Sequence, residues 1–339
     1  MNLKNYTPFA GMAWESWDAN GQTFVTSLLR LKFKLVKGEE VGEWKMQLLP
    51  LQGELFGADE FYDKERMGSV KYESDYVPFK PCADLVVNGT AIYPNGEEGT
   101  TWSCGVALYD KSMEKLCGLR LRVNAKKEYG VRKPIKEVPI RYELTRGGIL
   151  SQKEDEEGKL VPKRVDRYNP KGCGKYKYKE SDESCEEQIF YADGLSLKAP
   201  PGFGFIHRSW KSRLDLAGTY DQAWIDNQHP LPPHDFNYLH HQGAHPELML
   251  KDYIEVGSRV ELENLTKEES KIWFIIPEYK LLSRIKTQTD SKIEVLMLDT
   301  LIVDLDEEEE YIVYASYRAY TPFMDEMQEV ELMLIEEEE

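Results

Sequence analysis

All six histidines of the chain, His207, His229, His234, His240, His241 and His245, fall between Pro200 and His245. His241 and His245 are four residues apart, a spacing that puts both on one face of a helix. With His240 and either Asp235 or Glu247 they could hold a metal ion. Gly243 lies between them and Pro246 follows, and both residues disfavour a helix. No H-E-x-x-H occurs. Hydrogen-bonded structural histidines in a polar loop are the better reading. A metal-dependent enzyme built on His240, His241, His245 and Asp235 is kept as the minor alternative.

Other chemistries leave weaker traces. There is no G-x-S-x-G elbow for a serine hydrolase and no glycine-rich dinucleotide fingerprint. Gly172-Cys173-Gly174-Lys175 imitates a phosphate loop, but the first glycine is missing and Tyr176 stands where Ser or Thr belongs. A glycine turn is the better reading. A Cys/His pair and paired carboxylates could be drawn in many ways, so neither selects a site. Arg208, Lys211 and Arg213 interleave with Trp210 and Leu214, and in so acidic a chain internal charge pairs are favoured over a basic contact patch. The chain reads as a non-enzyme with no cofactor.

Composition narrows the class. The 339 residues carry a net charge of −17, which disfavours nucleic acid and anionic membrane surfaces. Hydrophobic residues make up 41%, enough for a packed core. Cys82, Cys104, Cys117, Cys173 and Cys185 are odd in number and form no C-x-x-C, so free thiols in a reducing cytoplasm are expected. The N-terminus lacks the apolar core of a signal peptide, and no apolar run is long enough to span a bilayer.

The elements that must position these residues are mostly strands. Leu29, Leu31, Phe33 and Leu35 alternate with Arg30, Lys32 and Lys34, one face buried and one wet. Similar alternation recurs at Trp44–Leu48, Val106–Leu108, Leu119–Val123, Val138–Tyr142 and Val260–Leu262. Ile272–Ile276 reads as a strand buried on both faces. Ile293–Leu305 and Tyr311–Tyr317 read as a hairpin, and Val330–Leu334 as a last strand before the acidic Glu336–Glu339. Gln152–Arg167 reads as an exposed charged loop or insertion, and Phe236–Leu250 as the main helical candidate. The predicted fold class is mostly β, with antiparallel sandwich-like sheets and little helix. A β-rich half (1–149), a charged insertion (150–168) and a second β-rich half (169–339) follow, the halves being separate or one integrated domain.

Between Pro200 and His245 the alternation stops. Gly202, Gly204 and Gly218 lie among Phe203, Phe205, Trp210, Tyr220, Trp224, Phe236 and Tyr238. Glycine permits close backbone approach and aromatics supply large rigid contact area. The segment is either a buried crossover between sheets or a recognition surface. Its organising residues are taken to be Phe203, Trp210, Arg213, Tyr220, Asp221 and Trp224. Asp221 and Arg213 are expected to pair, and Tyr220 and Trp224 to stack across one helical turn.

Pro201-Gly202-Phe203-Gly204 with Trp210 and Arg213, Ala217-Gly218-Thr219-Tyr220-Asp221 with Trp224, and Pro230, Pro233, Asp235 and Phe236 together resemble the central motif of the domain-of-unknown-function 2169 family. Asn5-Tyr6-Thr7-Pro8-Phe9, Pro78-Phe79-Lys80-Pro81 and Val138-Pro139-Ile140-Arg141-Tyr142-Glu143 are similar to its other blocks, in order along the chain. The resemblance implies a bacterial type VI secretion accessory protein. Such an adaptor-chaperone would bind a secreted effector, a spike protein or both in the cytoplasm, without catalysis, cofactor or metal. A structural accessory protein of the secretion machine is the close variant.

Overall fold

The computed structural model describes residues 2–177, 185–194, 199–307, 310–322 and 327–335. Strand accounts for 46% of the described residues and helix for 7%, which is the mostly-β class that the alternation predicts. An eleven-stranded sheet dominates. Its order is Ile189–Tyr191, Lys115–Asn124, Thr101–Tyr109, Arg259–Glu263, Lys271–Ile275, Glu43–Leu48, Thr23–Lys37, Ile312–Pro322, Met297–Asp304 and Asp84–Asn88, with Ala10–Trp17 also pairing to Thr23–Lys37. Lys271–Ile275 runs parallel to Glu43–Leu48, and Met297–Asp304 parallel to Asp84–Asn88. A four-stranded sheet orders Asn2–Asn5, Met327–Ile335, Lys280–Thr287 and Ser291–Val295. Neighbours in the large sheet come from both sides of the 150–168 segment: Thr101–Tyr109 pairs Arg259–Glu263, and Thr23–Lys37 pairs Ile312–Pro322.

The strand Thr23–Lys37 shows why the sheet holds. Leu29, Leu31 and Phe33 face one buried layer, as the period of two requires. Arg30, which alternation would place in water, is also buried. Segment 52–78 covers that face: Arg30 Nη1 donates to Asp75 at 2.6 Å, and the guanidinium lies 3.8 Å from the Phe56 ring centre. The apolar run at Ile272–Ile276 departs the other way. Ile272 and Phe274 are buried, but Ile275 is half exposed and Trp273 only partly covered. This strand has one core face, not two.

Two loop and helix expectations are corrected. Gln152–Arg167 is not a loop but the greater part of a hairpin, Ile149–Glu154 against Leu160–Val165, closed by a turn in which Asp155 Oδ1 accepts the N–H groups of Glu157 and Lys159. Its side chains remain mostly exposed. Phe236–Leu250 is not a helix. Pro246 and the buried Gly243 confine it to the 3-10 turns Tyr238–His241 and Pro246–Leu248. The α-helices among the described residues are Lys211–Leu214 and Gln222–Asn227. Val138–Tyr142 is also shorter than its alternation: Glu137–Pro139 pairs Thr90–Ile92, and Tyr142 opens a 3-10 turn.

Cys173 and Cys185 form a disulfide, with Cα atoms 5.2 Å apart. This corrects the expectation of free thiols throughout. The Cys173 N–H donates to Thr145 O at 2.7 Å, which fixes the glycine turn beside the stretch leading into Ile189–Tyr191. An odd cysteine count does not exclude one pair. Cys82, Cys104 and Cys117 are free and buried, and burial pushes the Cys117 thiol up to about 12. Among the described residues no helix is long and apolar enough to cross a membrane. The acidic end Glu336–Glu339 lies outside the described residues.

Candidate functional site

The segment from Pro200 to His245 enters through the core. Gly202 sits against the Tyr142 ring so closely that a Cβ there would overlap it. Phe203 is fully buried, and its carbonyl accepts the Val87 N–H at 2.9 Å, covering the last strand of the large sheet. Trp210 is buried in a small second cluster with Tyr142, Ala199 and Ile206. Its ring centre lies 5.4 Å from that of Tyr142, edge to face.

Arg213, at the first helical turn, is the latch. Its Nη1 donates to Ile206 O at 2.7 Å, and its Nε and Nη2 donate to His240 O at 3.0 and 2.9 Å. Nη1 also pairs with Glu73. His240 answers by donating Nδ1–H to Arg213 O at 2.9 Å. One guanidinium thus ties the start of the segment to its end, with a buried carboxylate behind it. Burial pushes the Glu73 carboxyl up, but the Arg213 charge and hydrogen bond outweigh it and hold the group below the usual carboxylate range. The expected Arg213–Asp221 pair is therefore corrected. Asp221 caps helix Gln222–Asn227, accepting the Trp224 N–H at 2.9 Å. Arg208 and Lys211 are ion-paired as well, with Asp59 and Asp215.

Residues 214–239 form an excursion closed by this latch. Asp235 braces it, accepting Thr219 N–H at 2.9 Å and Thr219 Oγ1–H at 2.7 Å. Gly218, at φ +81°, lies so close to Asp235 and Phe236 that a side chain there would meet both. Tyr220 and Trp224 meet edge to face at 4.7 Å, and the Trp224 indole donates to Leu231 O at 2.9 Å. Gln228 Nε2 donates to Ala19 O at 2.6 Å, docking the excursion on the turn after Ala10–Trp17. Phe236 packs on Tyr238 and His241. Leu214, Tyr220, Ile225 and Leu239 remain exposed; Tyr220 and Ile225 each keep 55% of their surface.

The histidines are dispersed among separate partners. His241 donates Nδ1–H to Phe79 O at 2.8 Å. His245 accepts the Glu247 N–H at Nδ1, so its proton sits on Nε2 and is donated to the Tyr191 hydroxyl at 2.8 Å. Burial pushes His241 and His245 down to about 4. His240 serves the latch, and Asp235 is held by Thr219. Among the described residues no group of three or more His, Cys, Asp or Glu side chains converges as a metal would require.

The structure thus gathers Trp210 and Arg213 at the base and Tyr220, Asp221, Trp224 and Asp235 in the excursion, with Phe203 in the main core and Phe236 between the two. Sequence reasoning missed Glu73, which lies in no periodic run. It missed the role of Tyr142, although that residue belongs to a conspicuous block of its own. Against this geometry the profile of DUF2169, an uncharacterized protein conserved in bacteria, matches residues 20–315. The chain belongs to this family. The DUF2169 match contains the latch, the excursion and most strands of the large sheet. No curated protein and no solved structure shows a significant match.

Proposed function

We propose that the protein works by binding rather than catalysis, as a cytoplasmic adaptor-chaperone that takes a secreted effector and passes it to the spike of a type VI secretion machine. The observation that supports this most is the excursion 214–239. It presents Leu214, Tyr220 and Ile225 to solvent from a base locked by a buried arginine. A preorganised aromatic surface loses little entropy on association, and Tyr is enriched among residues that dominate binding. The buried members of the motif hold the base; the exposed ones meet the partner. The reading also rests on the resemblance of the ordered sequence blocks. Its test is co-expression with each effector and spike protein encoded nearby, followed by pull-down. A stable complex weakened by Tyr220→Ala with Ile225→Ala is the expected result. No complex with any of these proteins would overturn the reading.

A further inference from the structure

The four-stranded sheet ends at Ser291–Val295, which among the described residues pairs only with Lys280–Thr287. Thr287 N–H donates to Asp290 O, and Leu296 N–H to Leu281 O. In an antiparallel ladder, bonded and non-bonded pairs alternate. Lys292 and Glu294 therefore turn their peptide groups toward Lys280–Thr287, while Ser291, Ile293 and Val295 turn theirs outward, the Ser291 N–H being met by Asp290 Oδ1 at 2.7 Å. Ile293 and Val295 are also more than half exposed. In register beside them lie Arg284 and the half-buried Leu282, and Leu282 in turn pairs with the half-buried Met333.

Exposed edges are ordinarily protected by charges that repel a second strand. This edge also carries charges, but of opposite sign: Lys292 and Glu294 stand on either side of Ile293 and pair with each other at 2.9 Å. Rotating a copy of the strand by a half turn about Ile293 sets Lys292 against Glu294 of the copy, Ile293 against Ile293, and Ser291 against Val295. The residues with outward peptide groups are then opposite one another, which is the bonded register. Charge pattern and hydrogen-bond phase agree on one alignment.

We propose that Ser291–Val295 is a homodimer edge, at which a second copy of this chain adds antiparallel across a two-fold axis through Ile293 and joins two four-stranded sheets into one. The contact is isologous, as two-fold pairing requires. A five-residue strand pair is smaller than a standard interface, so association is reversible and concentration-dependent.

The test is sedimentation equilibrium on the full chain, with circular dichroism and thermal melting to establish that each variant is folded. Wild type should move from monomer toward dimer as concentration rises. Ile293→Lys places like charges on the axis and should hold the protein monomeric. Lys292→Glu and Glu294→Lys should each raise the dissociation constant about tenfold or more, because each sets like charges opposite one another twice. The double variant restores opposite charges and should recover the wild-type value. A wild type that stays monomeric at every concentration overturns the proposal, as does a dimer indifferent to Ile293→Lys. Charge reversals that fail to rescue one another overturn the register. A strand from another protein occupying this edge, with wild type alone monomeric, also overturns it. Effector pull-down is a separate measurement and can fail or succeed independently.

Discussion

Arg213 satisfies four acceptor contacts at once, and Glu73 behind it has no water to fall back on. Removing the guanidinium leaves the buried carboxylate with only the more distant Arg208, 4.0 Å away, a loss of up to about 3–5 kcal/mol. Arg213→Met should therefore shift a urea midpoint sharply. Adding Glu73→Gln should recover part of the loss but not all, because the carbonyls of Ile206 and His240 stay unpaired. A variant with unchanged midpoint would show that the latch does not bear on stability. The histidines make a pH prediction of definite sign. His241 and His245 titrate near 4 in the fold against an ordinary 6.5. As pH falls below about 6.5 the unfolded chain takes up protons that the fold refuses, so stability is full above that value and declines toward 4. The limit is about 3 kcal/mol for each imidazole. Urea midpoints at pH 7 and pH 5, above the range where Glu73 adds its own loss, should differ in that direction. His245→Gln, which cannot charge, should flatten the slope. At this scale the sequence was a poor guide: Arg213 was legible as important, but its partner lies 140 residues away, and nothing local distinguishes Glu73 from other glutamates.

At the scale of elements, legibility follows the range of the interaction that decides each one. Strands whose one face meets the core announce themselves by alternation, as at Leu119–Val123 and Val260–Leu262. Arg30 broke the pattern because a distant segment covers it. The hairpin at Ile149–Val165 was hidden because both its faces are largely wet, so its alternation carried no apolar signal. The Tyr220–Trp224 contact was legible from its short spacing, although Tyr220 stands before the cap Asp221 rather than in the helix and the rings meet edge to face, not stacked. The same pair divides structure from recognition. Tyr220 is exposed, so Tyr220→Ala should change stability by no more than about 0.5 kcal/mol. Trp224 is half-buried and its indole N–H is bonded, so Trp224→Ala should loosen the excursion. Hydrogen exchange at residues 219–235 would report this as faster exchange. If Tyr220→Ala melts well below wild type, the ring belongs to the scaffold and not to the presented surface.

For the whole molecule, the decisive fact is that the large sheet interleaves early and late chain. Thr23–Lys37 receives Ile312–Pro322 along one side and both Ala10–Trp17 and Glu43–Leu48 along the other. A fragment ending at residue 149 would leave Leu28, Leu29, Leu31 and Phe33 without the neighbour that covers them. Expressed alone, it should be insoluble or bind hydrophobic dyes, and co-expression with residues 150–339 should rescue it. A fragment that is soluble, monomeric and cooperatively melting would show that the early strands close a core without the late ones.

The place of Ile312–Pro322 in that sheet also sets an order of events during synthesis. Strand Thr23–Lys37 leaves the ribosome long before its longest partner, Ile312–Pro322. In the interval one edge of that strand stays open. The loop-closure entropy of all the intervening chain must be lost before that pairing recovers any of it. Until Ile312–Pro322 arrives, that open edge is the kind of template on which other chains pair and aggregate.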